Sequence, residues 1–247
     1  MMKMSRLAVA ALVCGSVASA QILYDNGSIV TLPGGHASGG DISLLQNVSL
    51  GETTLGYGHA ISSGFRVADD FTVTGTWTID SICFMAYQTG VTAPSITGYD
   101  VKIWDGVPGA LGSNVVASSN TLLNSGFTNI YRIAENSPNT DTARRVQESE
   151  VDFGGAILGA GTYWLDWAAA GSSTSGPWAP PISPLGMTAP AGANALQFNP
   201  SVGAWGALQD GGSMTPDELP FVIKGTPTPG SLAVLGFAGL AATRRRR

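Results

Sequence analysis

Thr97-Gly98-Tyr99-Asp100-Val101-Lys102-Ile103-Trp104 decides the fold class. Tyr99, Val101 and Ile103 alternate with Asp100, Lys102 and Trp104, and a period of two sets these groups on opposite faces of a strand. Asp105-Gly106-Val107-Pro108-Gly109 follows as a turn. The pattern recurs downstream. Tyr163, Leu165 and Trp167 share a face, which predicts Trp167 in the core and Trp164 beside Asp166 on the other side. Outward from these anchors, strand-like runs separated by Gly, Pro and Asn cover 22–24, 65–73, 77–89 (irregular near Asp80-Ser81), 115–117, 127–134, 146–153, 194–198 and 219–224. Gly-rich 154–161 reads as the joint between 146–153 and 162–168. Residues 31–64 hold both histidines and read as loop with one or two short strands. Residues 177–190, with Pro177, Pro180, Pro181, Pro184 and Pro190, read as a long exposed loop, and 226–230 as a linker. The series amounts to about nine to eleven short strands without a helix, so the expected fold is all-β, an antiparallel sandwich of jelly-roll kind.

Composition narrows the function classes. Of the 12 Lys and Arg side chains, Lys3 and Arg6 lie at the start and Arg244 to Arg247 at the end. The body therefore sets six basic residues against all 17 acidic ones, a net charge of -11. Such a surface repels phosphate backbones, so nucleic acid is not an expected partner. Cys14 falls in the leader, which leaves Cys83 without an intrachain disulfide partner. Its apolar setting, Ile82-Cys83-Phe84-Met85, predicts a buried, inert thiol.

Residues 1–20 have the three parts of a secretory signal peptide: basic Lys3 and Arg6, apolar 7–13, and the small-x-small site Ala18-Ser19-Ala20 before Gln21. They predict Sec-type export and cleavage by signal peptidase. At the other end stand Pro227-Thr228-Pro229-Gly230, an uncharged apolar run over 231–243, then Arg244, Arg245, Arg246 and Arg247. As a helix that run would reach roughly 20 Å against a hydrocarbon core of about 30 Å. The arginines hold the cytoplasmic side.

This order resembles the PEP-CTERM sorting signal of Gram-negative and related bacteria. Pro227 and Pro229 match its two prolines and Arg244 to Arg247 its basic end, while Thr228 stands where the family has Glu. The resemblance implies recognition by an exosortase-like membrane protease, a cell-envelope or surface location, and a structural or adhesive role near extracellular polysaccharide. A plain C-terminal membrane anchor is the alternative. The expected domains are the signal peptide at 1–20, one extracytoplasmic body at 21–226 that folds without the tail, and the sorting segment at 227–247.

Three constellations bear on chemistry. His36 and His59 belong to no His-Glu-x-x-His motif, and a Gly-x-Ser-x-Gly elbow is absent, so loop polarity is the plain reading of both. Glu148, Glu150 and Asp152 share one strand face, either water-facing or a structural calcium site. Asp69-Asp70 and Asp210-Gly211-Gly212 read as turn formers. Trp104 before its turn, and Trp178 and Trp205 in Gly/Pro-rich loops, are the candidates for stacking on sugar rings. The expectation is a non-enzymatic, exported structural or adhesive protein. A carbohydrate-binding module is the first alternative. A secreted hydrolase is the second, and would show two facing carboxylates in a cleft, or a histidine bonded to both Ser and Asp.

Overall fold

In the strand Ile96–Trp104, Tyr99, Val101 and Ile103 are buried and Asp100, Lys102 and Trp104 half-exposed, as the alternation demands. The computed structural model describes residues 20–228, and the fold they form is all-β. In chain order the strands are β1 (Gln21–Asp25), β2 (Asp41–Leu45), β3 (Tyr57–Gly58), β4 (Arg66–Val73), β5 (Thr76–Ala86), β6 (Ile96–Trp104), β7 (Val115–Ser119), β8 (Leu122–Ala134), β9 (Arg145–Leu158), β10 (Gly161–Gly171), β11 (Trp178–Ala179), β12 (Leu196–Asn199), β13 (Ala204–Ala207) and β14 (Phe221–Thr228). That exceeds the expected number, because the two-residue β3 and β11 and the edge strand β13 are too short to show a period. A single 3₁₀ turn, Ile61–Ser63, is the helical content of the described residues.

Two six-stranded sheets hold most of the chain, ordered β1-β14-β5-β9-β8-β2 and β13-β12-β4-β10-β6-β7. All named pairs are antiparallel except β2 with β8. Phe84, Val151 and Phe221 of the first sheet meet Phe71, Val101 and Trp167 of the second in one core. Burying aromatic and branched side chains contributes roughly 1.5–3 kcal/mol each, and that dominates the stability of a chain with so few charges.

Three expectations need correction. Most of the Gly-rich joint at 154–161 is strand, since β9 runs to Leu158. Gly154 and Gly155 adopt φ 58° and 81° where β9 bulges opposite Ile79 and Ser81, which is also the irregularity expected near Asp80. The first part of 177–190 is not an exposed loop: Pro177 and residues 179–183 are buried. A proline brings no N–H to satisfy, so the segment packs inward at low cost. Finally, 226–230 does not begin as a free linker. Pro227 and Thr228 belong to β14 and pair with Trp77 and Thr76 of β5. Pairing with β1 has stopped by then, at Gly225, so Pro227 lies where one side of β14 is an edge and its missing N–H is tolerated.

β1 begins at Gln21, the residue expected to start the mature chain, and Gln21 pairs with Gly225 near the end of β14. The chain thus enters and leaves this fold at one end. From Thr76, beside Thr228, β5 runs eleven residues to Ala86. At about 3.3 Å per residue that strand spans roughly 35 Å and ends at the opposite, distal pole. The expected signal peptide, with Ala18, and the tail from Pro229 through Arg244 to Arg247 lie outside the described residues, except that Ala20 is present and exposed. Among the described residues no helix is long and apolar enough to cross a membrane.

Candidate functional site

The distal pole is built around Trp178. Tyr87, the residue after β5, exchanges two backbone hydrogen bonds with Trp178, at 2.9 and 3.0 Å. Trp178 also pairs with Gly58 across the β3–β11 ribbon. Gly176 makes the indole's position accessible. It has φ 82°, and a Cβ there would come within 2.6 Å of the Trp178 ring. The indole N–H donates to Ser175 Oγ at 3.2 Å. Buried Gln88 holds the approach to the ring by donating to the carbonyls of Ser173 and Ser175.

Trp178 is half-buried and forms a wall of two hollows. The first, about 480 Å³, is lined by Phe65, Ser62, Ser63, Thr174, Pro177 and Gln197 among others. The second, about 390 Å³, is lined by Thr53, Thr54, Leu55, Tyr87, Thr89, Arg144 and Ser175. A third hollow of about 340 Å³ is lined by residues next to these in sequence, Gly90, Thr92, Thr142, Ala143 and Arg145, with Phe127 and Tyr131. No carboxylate lines any of the three. Their chemistry is aromatic face, hydroxyl, amide and guanidinium.

The loop that walls the middle hollow is pinned from beneath. Asp210 accepts from the backbone N–H groups of Thr53 and Thr54. Arg132, fully buried, donates to the carbonyls of Leu55 and Thr54 at 2.8 and 3.3 Å, and to Ser43 and Ser183 Oγ at 3.2 Å each. The Tyr57 hydroxyl donates to Asp217 Oδ2. Burial pulls the Arg132 guanidinium below its ordinary value. Burial first, reinforced by Asp210 and Glu52, pushes Asp217 up to about 7, against the pull of Tyr57 and Arg132. Of these, only Asp210 was singled out from sequence, as a turn former, and it does accept from the Gly212 and Ser213 N–H groups. The available signal was Arg132 itself, a charge inside the apolar strand run Tyr131-Arg132-Ile133-Ala134.

The other sugar-contact candidates sit elsewhere. Trp104 is opposite Trp164 on the second sheet, and its indole N–H donates to buried Asp166 at 3.0 Å. Arg66 joins this cluster through Asp166 at 2.5 Å and Asp100 at 2.6 Å. Trp164 and Asp166 do share a face as expected, but both are buried rather than solvated. Trp205 on β13 packs on Phe198, ring centres 5.5 Å apart, and against Gly109 of the β6–β7 turn. Neither Trp104 nor Trp205 lines the hollows beside Trp178.

Glu148, Glu150 and Asp152 occupy one face of β9, as the spacing requires. Glu150 accepts from Ser81 Oγ at 2.6 Å, Lys224 Nζ at 3.1 Å and Asn124 at 3.1 Å, and these donors hold it below the usual range. Among the described residues no three His, Cys, Asp or Glu side chains are grouped to hold a metal. Asp69 is not a turn residue. It is buried, accepts from Asn26 and the Leu219 N–H, and is pushed well up by burial.

Both histidines lie outside strands, as read from the sequence, and both are buried. His36 stacks on Tyr131 at 3.9 Å, with Nδ1 2.7 Å from Ser38 Oγ. Burial pulls His59 down to about 4, so it is neutral at physiological pH. Neither has a carboxylate among its hydrogen-bond partners. Cys83 is buried, and burial raises its thiol.

Comparison with protein-family models, curated proteins and solved structures gives no match.

Proposed function

We propose that this chain is an exported, envelope-associated adhesive protein that holds extracellular polysaccharide in the hollows around Trp178, and that it does not catalyse a reaction. One observation carries the reading: an aromatic-walled, hydroxyl-rich recess without carboxylates lies at the pole opposite the point where both chain ends leave. A sugar ring offers apolar C–H faces to an indole and hydroxyls to groups such as Ser62, Thr174 and Gln197. A body tethered at Thr228 would present that recess away from the membrane. The tail reading supplies the tether: a PEP-CTERM-like signal, exposed to an exosortase-like protease after Sec-type export. No cofactor belongs to this reading, since Lys224, Ser81 and Asn124 already supply donors to Glu150.

The strand orders support a jelly-roll sandwich as the architecture. β1-β14-β5-β9 and β4-β10-β6-β7 make two four-stranded halves, and among these eight strands the chain changes half at every step except β6 to β7, with β8–β2 and β12–β13 as additions at their edges.

Two experiments test the proposal. Trp178→Ala should weaken binding to a neutral glucan at least about ten-fold in affinity electrophoresis, a loss of roughly 1.4 kcal/mol. Trp104→Phe should leave binding unchanged, because that indole serves Asp166. Equal losses in the two variants would remove the site. Mass spectrometry of the protein from its native host should find a new N-terminus at Gln21 and a C-terminus before Arg244. A mature chain that keeps all four arginines would replace the sorting signal with a plain anchor.

A further inference from the structure

The body between Gln21 and Thr228 holds six basic side chains, and five are already engaged. Arg66 binds Asp100 and Asp166, Lys102 lies 3.8 Å from Asp100, Arg144 binds Asp141, and Lys224 binds Glu150. Arg132 is enclosed by carbonyls and hydroxyls. Arg145 differs from all of them. It is half-buried and makes no ion pair among the described residues. Its Nε donates to the Thr128 carbonyl at 2.8 Å. Its guanidinium carbon stands 4.7 Å from the centre of the Phe127 ring and 5.8 Å from that of Tyr131. The irregular stretch of β8 between Phe127 and Tyr131 provides this seat. One carbonyl and two aromatic rings fix the guanidinium plane, while its terminal nitrogens make no hydrogen bond among the described residues. Arg145 lines the third distal hollow with Thr92 and Thr142.

We propose that the Arg145 hollow takes the carboxylate of a uronic-acid residue in a polysaccharide strand that also crosses the Trp178 hollows. The inference rests on the glycan reading above and names the class of glycan. A fixed planar fork matches a carboxylate with two parallel hydrogen bonds, and aromatic contact pre-organises it. Thr92 and Thr142 offer hydroxyls to the same sugar ring. The two hollows are neighbours: the Gly90 N–H donates to the Ala143 carbonyl at 2.7 Å, and the adjoining Thr89 and Arg144 line the middle hollow. The charge of the body selects the kind of strand. A net of -11 opposes a densely charged polyanion, and one arginine without an ion-pair partner among the described residues accommodates one carboxylate among neutral sugars. A strand that mixes neutral and uronate residues fits both features.

The test uses the full-length chain, an oligosaccharide alternating glucuronate with N-acetylglucosamine, and its carboxyl-reduced counterpart. The parent should prefer the acidic oligosaccharide by about ten-fold, the range of a charge-assisted bidentate contact. Arg145→Gln should erase that preference, bringing affinity for the acidic form down to that for the reduced form. Thr92→Tyr, which fills the hollow without touching the arginine's own bonds, should erase it too and guards against a folding defect in Arg145→Gln. Trp178→Ala should weaken both ligands. A preference that survives in Arg145→Gln and Thr92→Tyr overturns the inference, as does equally tight binding of polyglutamate. If Trp178→Ala changes neither affinity while Arg145→Gln removes the preference, the Arg145 site stands and the Trp178 reading falls. If neither oligosaccharide binds, both fall.

Discussion

Arg132→Ala should destabilise the fold by about 3–5 kcal/mol, the range expected when a large buried side chain is lost and buried acceptors are left without a donor. Three losses coincide there. The carbonyls of Thr54 and Leu55 lose their donor, the hydroxyls of Ser43 and Ser183 lose theirs, and a fully buried side chain leaves a void. For a domain of this size the melting temperature should drop by roughly 10 °C or more. Arg132→Met keeps most of the volume and should lose less, leaving mainly the unsatisfied carbonyls. It should still weaken glycan binding, because the loop over Thr54 and Leu55 walls the middle hollow. Denaturant melts of both variants, with calorimetric titration of a glucan, check the two effects separately. An Arg132→Ala protein within about 1 kcal/mol of the parent, inside the ordinary range for surface changes, would mean that the guanidinium does not pin this loop.

The faces of β6 and of the middle of β10 were legible because the apolar residues there keep a period of two. Tyr99, Val101, Ile103, Leu165 and Trp167 are buried where alternation puts them. The irregularity at Asp80 was legible too, since a polar pair interrupts an apolar run. What failed to show was structure made by contacts distant in sequence. Gly154 and Gly155 looked like a loop, yet they are the positive-φ residues that let β9 bulge and continue. Prolines 177, 180 and 181 suggested exposure, but their lack of an N–H suits a buried segment. Trp178 could be nominated from its Gly/Pro-rich setting. Its partners could not, because Gly58 and Tyr87 reach it only through folding. Arg144 and Arg145 are neighbours of one type and indistinguishable as text. Strand geometry sends one to Asp141 and the other onto Phe127.

The same buried network predicts a pH dependence of stability. Asp217 has a folded value of about 7 against an ordinary 3.8, with burial as the leading cause. Between those values the native state keeps a proton that the unfolded chain has released, so stability falls as pH rises through this window and levels off above about 7. At about 1.4 kcal/mol per pH unit, the window bounds the Asp217 contribution at roughly 4 kcal/mol. Buried Asp69, Asp166 and Glu52 and half-buried Glu218 are also raised and act in the same direction, whereas Glu150 and Asp210 are lowered and act at more acidic pH. Asp217→Asn isolates the effect, because an amide oxygen still accepts from Tyr57 and carries no charge at any pH. The parent should melt several degrees lower at pH 8 than at pH 5. Asp217→Asn should lose much of that slope, keep the remainder due to the other four acids, and match or exceed the parent at pH 8. Arg132→Met should steepen the slope, since removing the cation lets Asp217 rise further. Parallel melting curves for parent and Asp217→Asn from pH 5 to 8 would show that Asp217 is ionised throughout, and that the carboxylate beneath Tyr57 is solvated rather than buried.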